Sequence, residues 1–105
     1  MNVLFVCSRN KWRSRTAETI FKENQSHNFK SAGTENDARI KINEKLVNWA
    51  DLIFVMEKRH KLRLQDKFDH LLDDKKIIIL DIEDNYQYMN EELIETLMTS
   101  VTPYL

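Results

Sequence analysis

The chain has 105 residues, of which 42% are hydrophobic and 31% charged, a composition typical of soluble globular proteins and not of disordered or membrane proteins. The single cysteine, Cys7, excludes an internal disulfide, and with only three histidines no structural zinc site is expected. A net charge of −1 argues against nucleic-acid binding, and no apolar run approaches a membrane span, so we expect one cytoplasmic domain, residues 1–105.

The charge is unevenly distributed along the chain. Residues 1–50 carry nine Lys/Arg and five Asp/Glu, whereas residues 51–105 carry seven and twelve. Four basic residues lie close to Cys7 and precede the first acidic residue, Glu18. They are Arg9, Lys11, Arg13 and Arg15. This pattern predicts a local basic site in an otherwise neutral protein.

Strands and helices alternate in the first half of the chain. The short apolar run Asn2 to Val6 is typical of a buried strand, and apolar residues at three- and four-residue spacing predict a helix from Ser14 to about Gln25. An edge strand, Asn28 to Ala32, is expected to end at a turn marked by Gly33, the only glycine. Asp37 to Trp49 is predicted to be helical. The residues expected to face the core are Ile40, Leu46, Val47 and Trp49, whereas Ile42 does not fit the helical spacing of this apolar face.

The second half continues the alternation. Leu52 to Met56 is predicted as a third strand, and Glu57 to Phe68 as a helix with Leu62 and Phe68 in the core. The continuous Ile and Leu residues of Lys76 to Ile82 predict a fourth strand buried on both faces. The last helix should begin after Asn90, a good N-cap, and end near Pro103.

This order of elements favours an α/β fold, a three-layer αβα sandwich with a four-stranded parallel sheet and right-handed crossovers. In such folds ligands bind at the carboxyl ends of the strands. The loop from Cys7 to Ser14 occupies that place, between the first strand and the first helix.

Three features of this loop favour an anion. It leads into a helix N-terminus, where free N–H groups and the helix dipole attract negative charge. Its side chains are cationic. It begins with a thiol, and thiols beside helix N-termini and arginines ionise readily and become nucleophilic. An anion held over a thiolate indicates phosphate chemistry.

The spacing of the loop matches a known pattern. Cys7, five intervening residues, Arg13 and Ser14 reproduce the signature loop of the cysteine-dependent phosphatases. With Asn10, Ala17-Glu18 and Phe21, the amino-terminal block resembles the low-molecular-weight protein tyrosine phosphatase family. Two further stretches, Ser31 to Thr34 and Ala50 to Met56, are similar to that family's second and third strands.

The chain resembles a shortened member of this family, abbreviated between Thr34 and Asp51 and again before Lys76. Within the loop, Arg9 stands where glycine is usual and Trp12 where many members have a second cysteine. Ile82 to Tyr86 resembles the segment that carries the family's catalytic aspartate, with asparagine in place of proline.

The resemblance implies a mechanism without metal or cofactor. Cys7 would attack phosphorus, Arg13 would bind two phosphoryl oxygens, and Ser14 would assist departure of the thiolate. Asn10 would hold the loop open by bonding its backbone. Asp84 corresponds to the general acid, with Asp81 as its rival. The predicted phosphate- and substrate-binding residues are Ser8, Arg9, Asn10, Lys11, Trp12, Arg13, Ser14 and Tyr86.

The expected partner is a phosphorylated protein, with phosphotyrosine favoured. Trp12 and Tyr86 could flank a phosphotyrosyl ring, while Arg9, Lys11 and Arg15 could favour an acidic or multiply phosphorylated partner. The loop also resembles that of the RNA polymerase C-terminal-domain phosphatase, whose substrates are phosphoserines.

Two other classes of function remain open at this stage. A phosphocysteine carrier resembling the sugar-transport IIB proteins would also have a cysteine after the first strand, and a phosphate-recognition module would keep the loop without turnover. A thiol-coupled arsenate reductase is disfavoured because it needs further cysteines.

Overall fold

A computed structural model describes residues 1–105, and its four strands form one parallel sheet. The strands are β1 (Asn2–Cys7), β2 (Asn28–Gly33), β3 (Leu52–Val55) and β4 (Lys76–Ile79), in the spatial order β2-β1-β3-β4. In the register, Val6 of β1 lies opposite Ala32 of β2 and Val55 of β3. The apolar strands β1 and β3 are therefore central, and the predicted edge strand is confirmed.

Helices cover both faces of the sheet. They are α1 (Arg13–Phe21), α2 (Glu44–Trp49), α3 (Lys58–Phe68) and α4 (Glu91–Val101), with 3-10 turns at Asp69–Leu71 and Thr102–Tyr104. Because strand side chains alternate between faces, Val3 and Phe5 pack with residues of α1 and α4, whereas Leu4 and Val6 pack with those of α2 and α3. The three-layer αβα prediction is confirmed. None of these helices has the length and apolar character to cross a membrane.

The predicted helix from Asp37 is wrong in its first half. Residues 37–43 are not helical, because Gly33 exchanges backbone hydrogen bonds with this segment: its N–H donates to Ile40 O, and its carbonyl accepts from Ile42 N–H. Asn43 then caps α2 by accepting the Leu46 N–H at 2.9 Å. Pairing beside β2 buries Ile42 and exposes Ile40, the reverse of the expectation.

Two other expectations fail for geometric reasons. Leu62 was expected in the core but is 53% exposed, because α3 turns His60 and Leu64, four residues apart, towards the sheet. The fourth strand was expected to run to Ile82 and to be buried on both faces. It lies instead at the edge of the sheet, its isoleucines are only partly buried, and it ends at Ile79. Asp81, with a φ of 55°, then turns the chain out of the strand. The predicted N-cap Asn90 is confirmed, since its side chain accepts the Leu93 N–H.

Candidate active site

The residues between β1 and α1 form a tight loop at the carboxyl edge of the sheet. Asn10, with a φ of 57°, adopts the left-handed backbone conformation, which asparagine tolerates better than most residues. The loop rests on the chain that follows β2, since Ser8 O accepts the Glu35 N–H. Gly33 is required by this close approach, because a Cβ there would lie 2.5 Å from Ser8 O.

The thiol of Cys7 is buried at the base of the loop and accepts hydrogen bonds. Its Sγ receives the Asn10 N–H at 3.2 Å and lies 2.9 Å from Ser14 Oγ. Ser14 Oγ itself accepts from Asn10 Nδ2 at 2.7 Å, while Ala32 O lies farther from it, at 3.3 Å. With Cys7 as a thiol, either sulfur or oxygen can be the donor of this bond, and Ser14 Oγ can donate to Ala32 O; a thiolate can only accept, so the Ser14 proton then goes to the sulfur. The Asn10 side chain bonds this hydroxyl rather than the loop backbone.

Arg13, the first residue of α1, is only 2% exposed. Its Nη1 donates to a carboxylate oxygen of Glu57 and, at 2.9 Å, to Ile82 O, and its Nε lies 3.6 Å from Asp84 Oδ1. Partial burial raises the pKa of Glu57, but hydrogen bonds from Arg59 and Arg13 outweigh this effect, so the pKa lies below its usual value. Glu57 therefore compensates the buried guanidinium as a carboxylate.

A pocket of about 260 Å³ opens above the thiol. Its lining residues are Cys7, Ser8, Arg9, Lys11, Trp12, Arg13, Glu35, Arg59 and Asp84. The structure thus brings the predicted nucleophile, cation and acid to one cavity, while Asn10 and Ser14 support the thiol from inside the loop. Tyr86 is not in the wall of the cavity, since it packs against the core and its hydroxyl donates to Glu92.

Of the two candidate acids, Asp84 lines the pocket and Asp81 does not. The Asp84 side chain is 49% exposed and faces Arg13. Asp81 lies in the turn that ends β4 and takes no part in the cavity wall.

Sequence reasoning missed four residues around the loop: Glu35, Glu57, Arg59 and His60. His60 is 1% exposed; its Nδ1 accepts the Glu57 N–H at 3.1 Å, so the proton of the neutral ring is on Nε2, 2.9 Å from Ser8 Oγ. Burial, and then the charges of Arg13 and Arg59, lower the pKa of His60 to about 4. His60 caps α3, and the spacing Glu57-x-x-His60 was the available signal.

No protein-family model and no curated protein matches the chain by sequence. Solved structures do match. The low-molecular-weight protein tyrosine phosphatase from T. tengcongensis has a TM-score of 0.76 at 24% identity, covering 100% of this chain and 99% of that one. SP-PTP from Streptococcus pyogenes, of the same type, has a TM-score of 0.80 at 20% identity, covering 99% and 90%.

A third match is the YwlE arginine phosphatase from Geobacillus stearothermophilus, with a TM-score of 0.73 at 21% identity, covering 96% of this chain and 86% of that one. At these low identities the likeness is one of fold. The observed sheet order, the loop between β1 and α1 and these superpositions agree: the chain has the fold of the low-molecular-weight protein tyrosine phosphatases.

Proposed function

We propose that the chain is a cysteine-dependent phosphomonoester hydrolase that acts on phosphotyrosine in proteins, with residues 1–105 as its phosphatase-like domain. The observation that carries the proposal is the meeting of Cys7, Arg13 and Asp84 in one pocket at the N-terminus of α1. A nucleophile, a cation for the phosphoryl oxygens and an acid for the leaving group are the parts that such a hydrolysis needs.

In the first step, the Cys7 thiolate attacks phosphorus in line with the ester bond. The S–P bond forms as the P–O bond breaks, and Asp84, entering as the carboxylic acid, gives its proton to the departing phenolate oxygen. Loop N–H groups and the Arg13 guanidinium bind the phosphoryl oxygens as charge spreads over them. Arg13 is suited to this task because Glu57 and Ile82 O hold its Nη1 in place.

In the second step, Asp84, now a carboxylate, takes a proton from a water molecule that attacks the phosphocysteine. The S–P bond breaks, inorganic phosphate leaves and the thiolate is restored. The hydroxyl of Ser14, 2.9 Å from Sγ, stabilises the thiolate as it departs. Each turnover consumes one water and leaves Asp84 protonated for the next.

The charges at the mouth of the pocket favour an aryl phosphate over phosphoarginine. Phosphoarginine carries a guanidinium next to its phosphoryl group. In the cavity wall this group would meet four cations, Arg9, Lys11, Arg13 and Arg59, which outnumber the two carboxylates, Glu35 and Asp84. A phosphotyrosyl ring is uncharged, and the Trp12 side chain in the same wall offers it an aromatic surface. The proposal therefore names phosphotyrosine, although three of the structural matches are arginine phosphatases.

The test is release of p-nitrophenol from p-nitrophenyl phosphate at pH 5 to 7 without added metal. We expect Cys7→Ser to abolish turnover and Asp84→Asn to reduce it about 100-fold. Asp81→Asn is the matched control and should keep wild-type activity. Peptides carrying phosphotyrosine, phosphoserine or phosphoarginine then rank the substrates, with phosphotyrosine expected first.

Two results would overturn the proposal. Folded wild-type protein that binds vanadate through Arg13 without turnover would be a phosphate-recognition module. Protein that passes its phosphoryl group to an acceptor instead of water would be a carrier of the IIB type.

A further inference from the structure

The segment that carries Asp84 has no proline between Glu83 and Met89 to restrict its backbone. We call residues 83–89 the acid loop. Asp84 itself makes only a 3.6 Å ion pair with Arg13. The position of its carboxyl group must therefore be set by the rest of the loop: by Tyr86, which packs against the core and donates to Glu92, and by contacts at the two ends of the loop.

The near end of the acid loop is attached to the phosphate-binding side of the molecule. Ile82 is buried, its N–H donates to Met56 O at 2.8 Å, and its carbonyl accepts from Arg13 Nη1. This anchor belongs to the site already described.

The far end of the acid loop is attached to α1 by Tyr88 and Met89. The Tyr88 hydroxyl lies 2.9 Å from Thr19 Oγ1. The Thr19 hydroxyl already donates to Arg15 O, so Tyr88 is the donor in this bond. The Arg15 guanidinium lies 4.4 Å from the centre of the Tyr88 ring, at cation–π distance.

Met89 adds a backbone contact to the same helix. Its N–H donates to Thr16 Oγ1 at 3.0 Å, while the Thr16 hydroxyl donates to Trp12 O. Met89 has a φ of 63°, which is unusual for a side chain of this kind. The contact with α1 holds the chain in that conformation just before α4 begins.

We propose that Tyr88 is a positioning residue for Asp84, an inference that rests on the proposed phosphatase function. α1 begins at Arg13, so by clamping the acid loop to α1 Tyr88 fixes the acid relative to the group that binds the phosphate. The clamp tethers the far end of the acid loop to α1. Tyr88 does not line the pocket and touches no reacting atom.

This arrangement predicts a specific kinetic signature. A misplaced Asp84 harms only reactions in which the leaving oxygen needs a proton. Phenyl phosphate, with its basic leaving group, depends on the acid, whereas p-nitrophenyl phosphate, with a more acidic phenol, depends on it much less. A variant that merely destabilises the fold lowers activity towards both substrates alike.

The experiment compares kcat/KM for the two aryl phosphates in wild type, Tyr88→Ala, Tyr88→Phe and Asp84→Asn. For Tyr88→Ala we expect kcat/KM on phenyl phosphate to fall about 10-fold more than on p-nitrophenyl phosphate, a change in the same direction as, and smaller than, the change in this ratio caused by Asp84→Asn. Tyr88→Phe keeps the ring over Arg15 and loses the hydroxyl bond, so a smaller shift, about threefold, is expected. In the Asp84→Asn background, Tyr88→Ala should change the ratio no further.

Tyr104→Ala is the matched control. Tyr104 is 41% exposed against 38% for Tyr88, has Lys76 Nζ 5.4 Å from its ring centre, and does not line the pocket. Its loss should leave the ratio of the two kcat/KM values unchanged. An unchanged ratio in Tyr88→Phe and in folded Tyr88→Ala, with wild type active, would overturn the role of Tyr88 alone; an inactive wild type would overturn the proposed function as well.

Discussion

Replacement of His60 by glutamine tests the buried imidazole that joins the loop to α3. His60 is the third residue of the helix and accepts the Glu57 N–H, a position in which glutamine serves equally well in capping boxes. Glutamine is also long enough to bond Ser8. The substitution therefore keeps the two contacts approximately and removes only the group that can titrate.

The magnitude follows from the pKa of His60, which burial and the charges of Arg13 and Arg59 lower from 6.5 to about 4 in the folded protein. Above pH 6.5 the ring is neutral in both states and has no linked effect on stability. Below pH 6.5 the unfolded chain binds a proton that the folded protein does not, so stability falls as the pH drops. Over the interval down to about pH 4, the loss amounts to about 3 kcal/mol.

The assay is urea unfolding at pH 7.5 and pH 4.5, followed by fluorescence of Trp12 and Trp49. At pH 7.5 we expect His60→Gln to be less stable than wild type by about 1 kcal/mol, the value of an imperfect hydrogen bond. At pH 4.5 the variant should be the more stable protein. Other titrating groups affect both proteins equally, so a difference in unfolding free energy that is the same at both pH values would refute the assigned pKa.

Three further substitutions test the loop. Glu57→Gln removes the charge that compensates buried Arg13, and we expect about 2 kcal/mol lower stability and about 10-fold lower kcat/KM, measured by thermal unfolding and aryl phosphate hydrolysis; retention of both values would contradict this. Gly33→Ala places a Cβ 2.5 Å from Ser8 O and should lower the free energy of unfolding by about 1 to 3 kcal/mol and weaken vanadate binding. Unfolding and vanadate titration equal to those of wild type would contradict this. Ser14→Ala should slow hydrolysis of the phosphoenzyme, seen as a burst of p-nitrophenol before steady turnover, and equal rates in both phases would argue against its part in thiolate departure.

Much of the fold was predictable because the signals are local. Four apolar runs alternate with helical spacing, which indicates a parallel sheet covered on both faces, and Asn90 marks the start of α4 as any good N-cap does. The loop was predictable for the same reason, since Cys7, Arg13 and Ser14 are close in sequence and their spacing is that of a single loop between β1 and α1.

The remaining features depend on residues that are distant in sequence. Glu57 meets Arg13 across 44 residues and His60 meets Ser8 across 52, contacts that exist only because β1 and β3 are neighbours in the sheet. Likewise, the first half of the helix predicted from Asp37 does not form, because residues 40–42 hydrogen-bond with Gly33 instead, and this tertiary contact outweighs the local helical spacing.

The sequence by itself determined the alternating α/β order and the loop that begins at Cys7, because both can be recognised from the periodicity and spacing of residues that are close in sequence. Only the tertiary structure decided that Asp84 rather than Asp81 lines the pocket and that Tyr88 ties the acid loop to α1. The physical reason is that side chains far apart in sequence come close together only after the sheet has set the distances between strands. Contacts of this kind produce no periodic pattern or fixed spacing in the sequence from which they could be predicted.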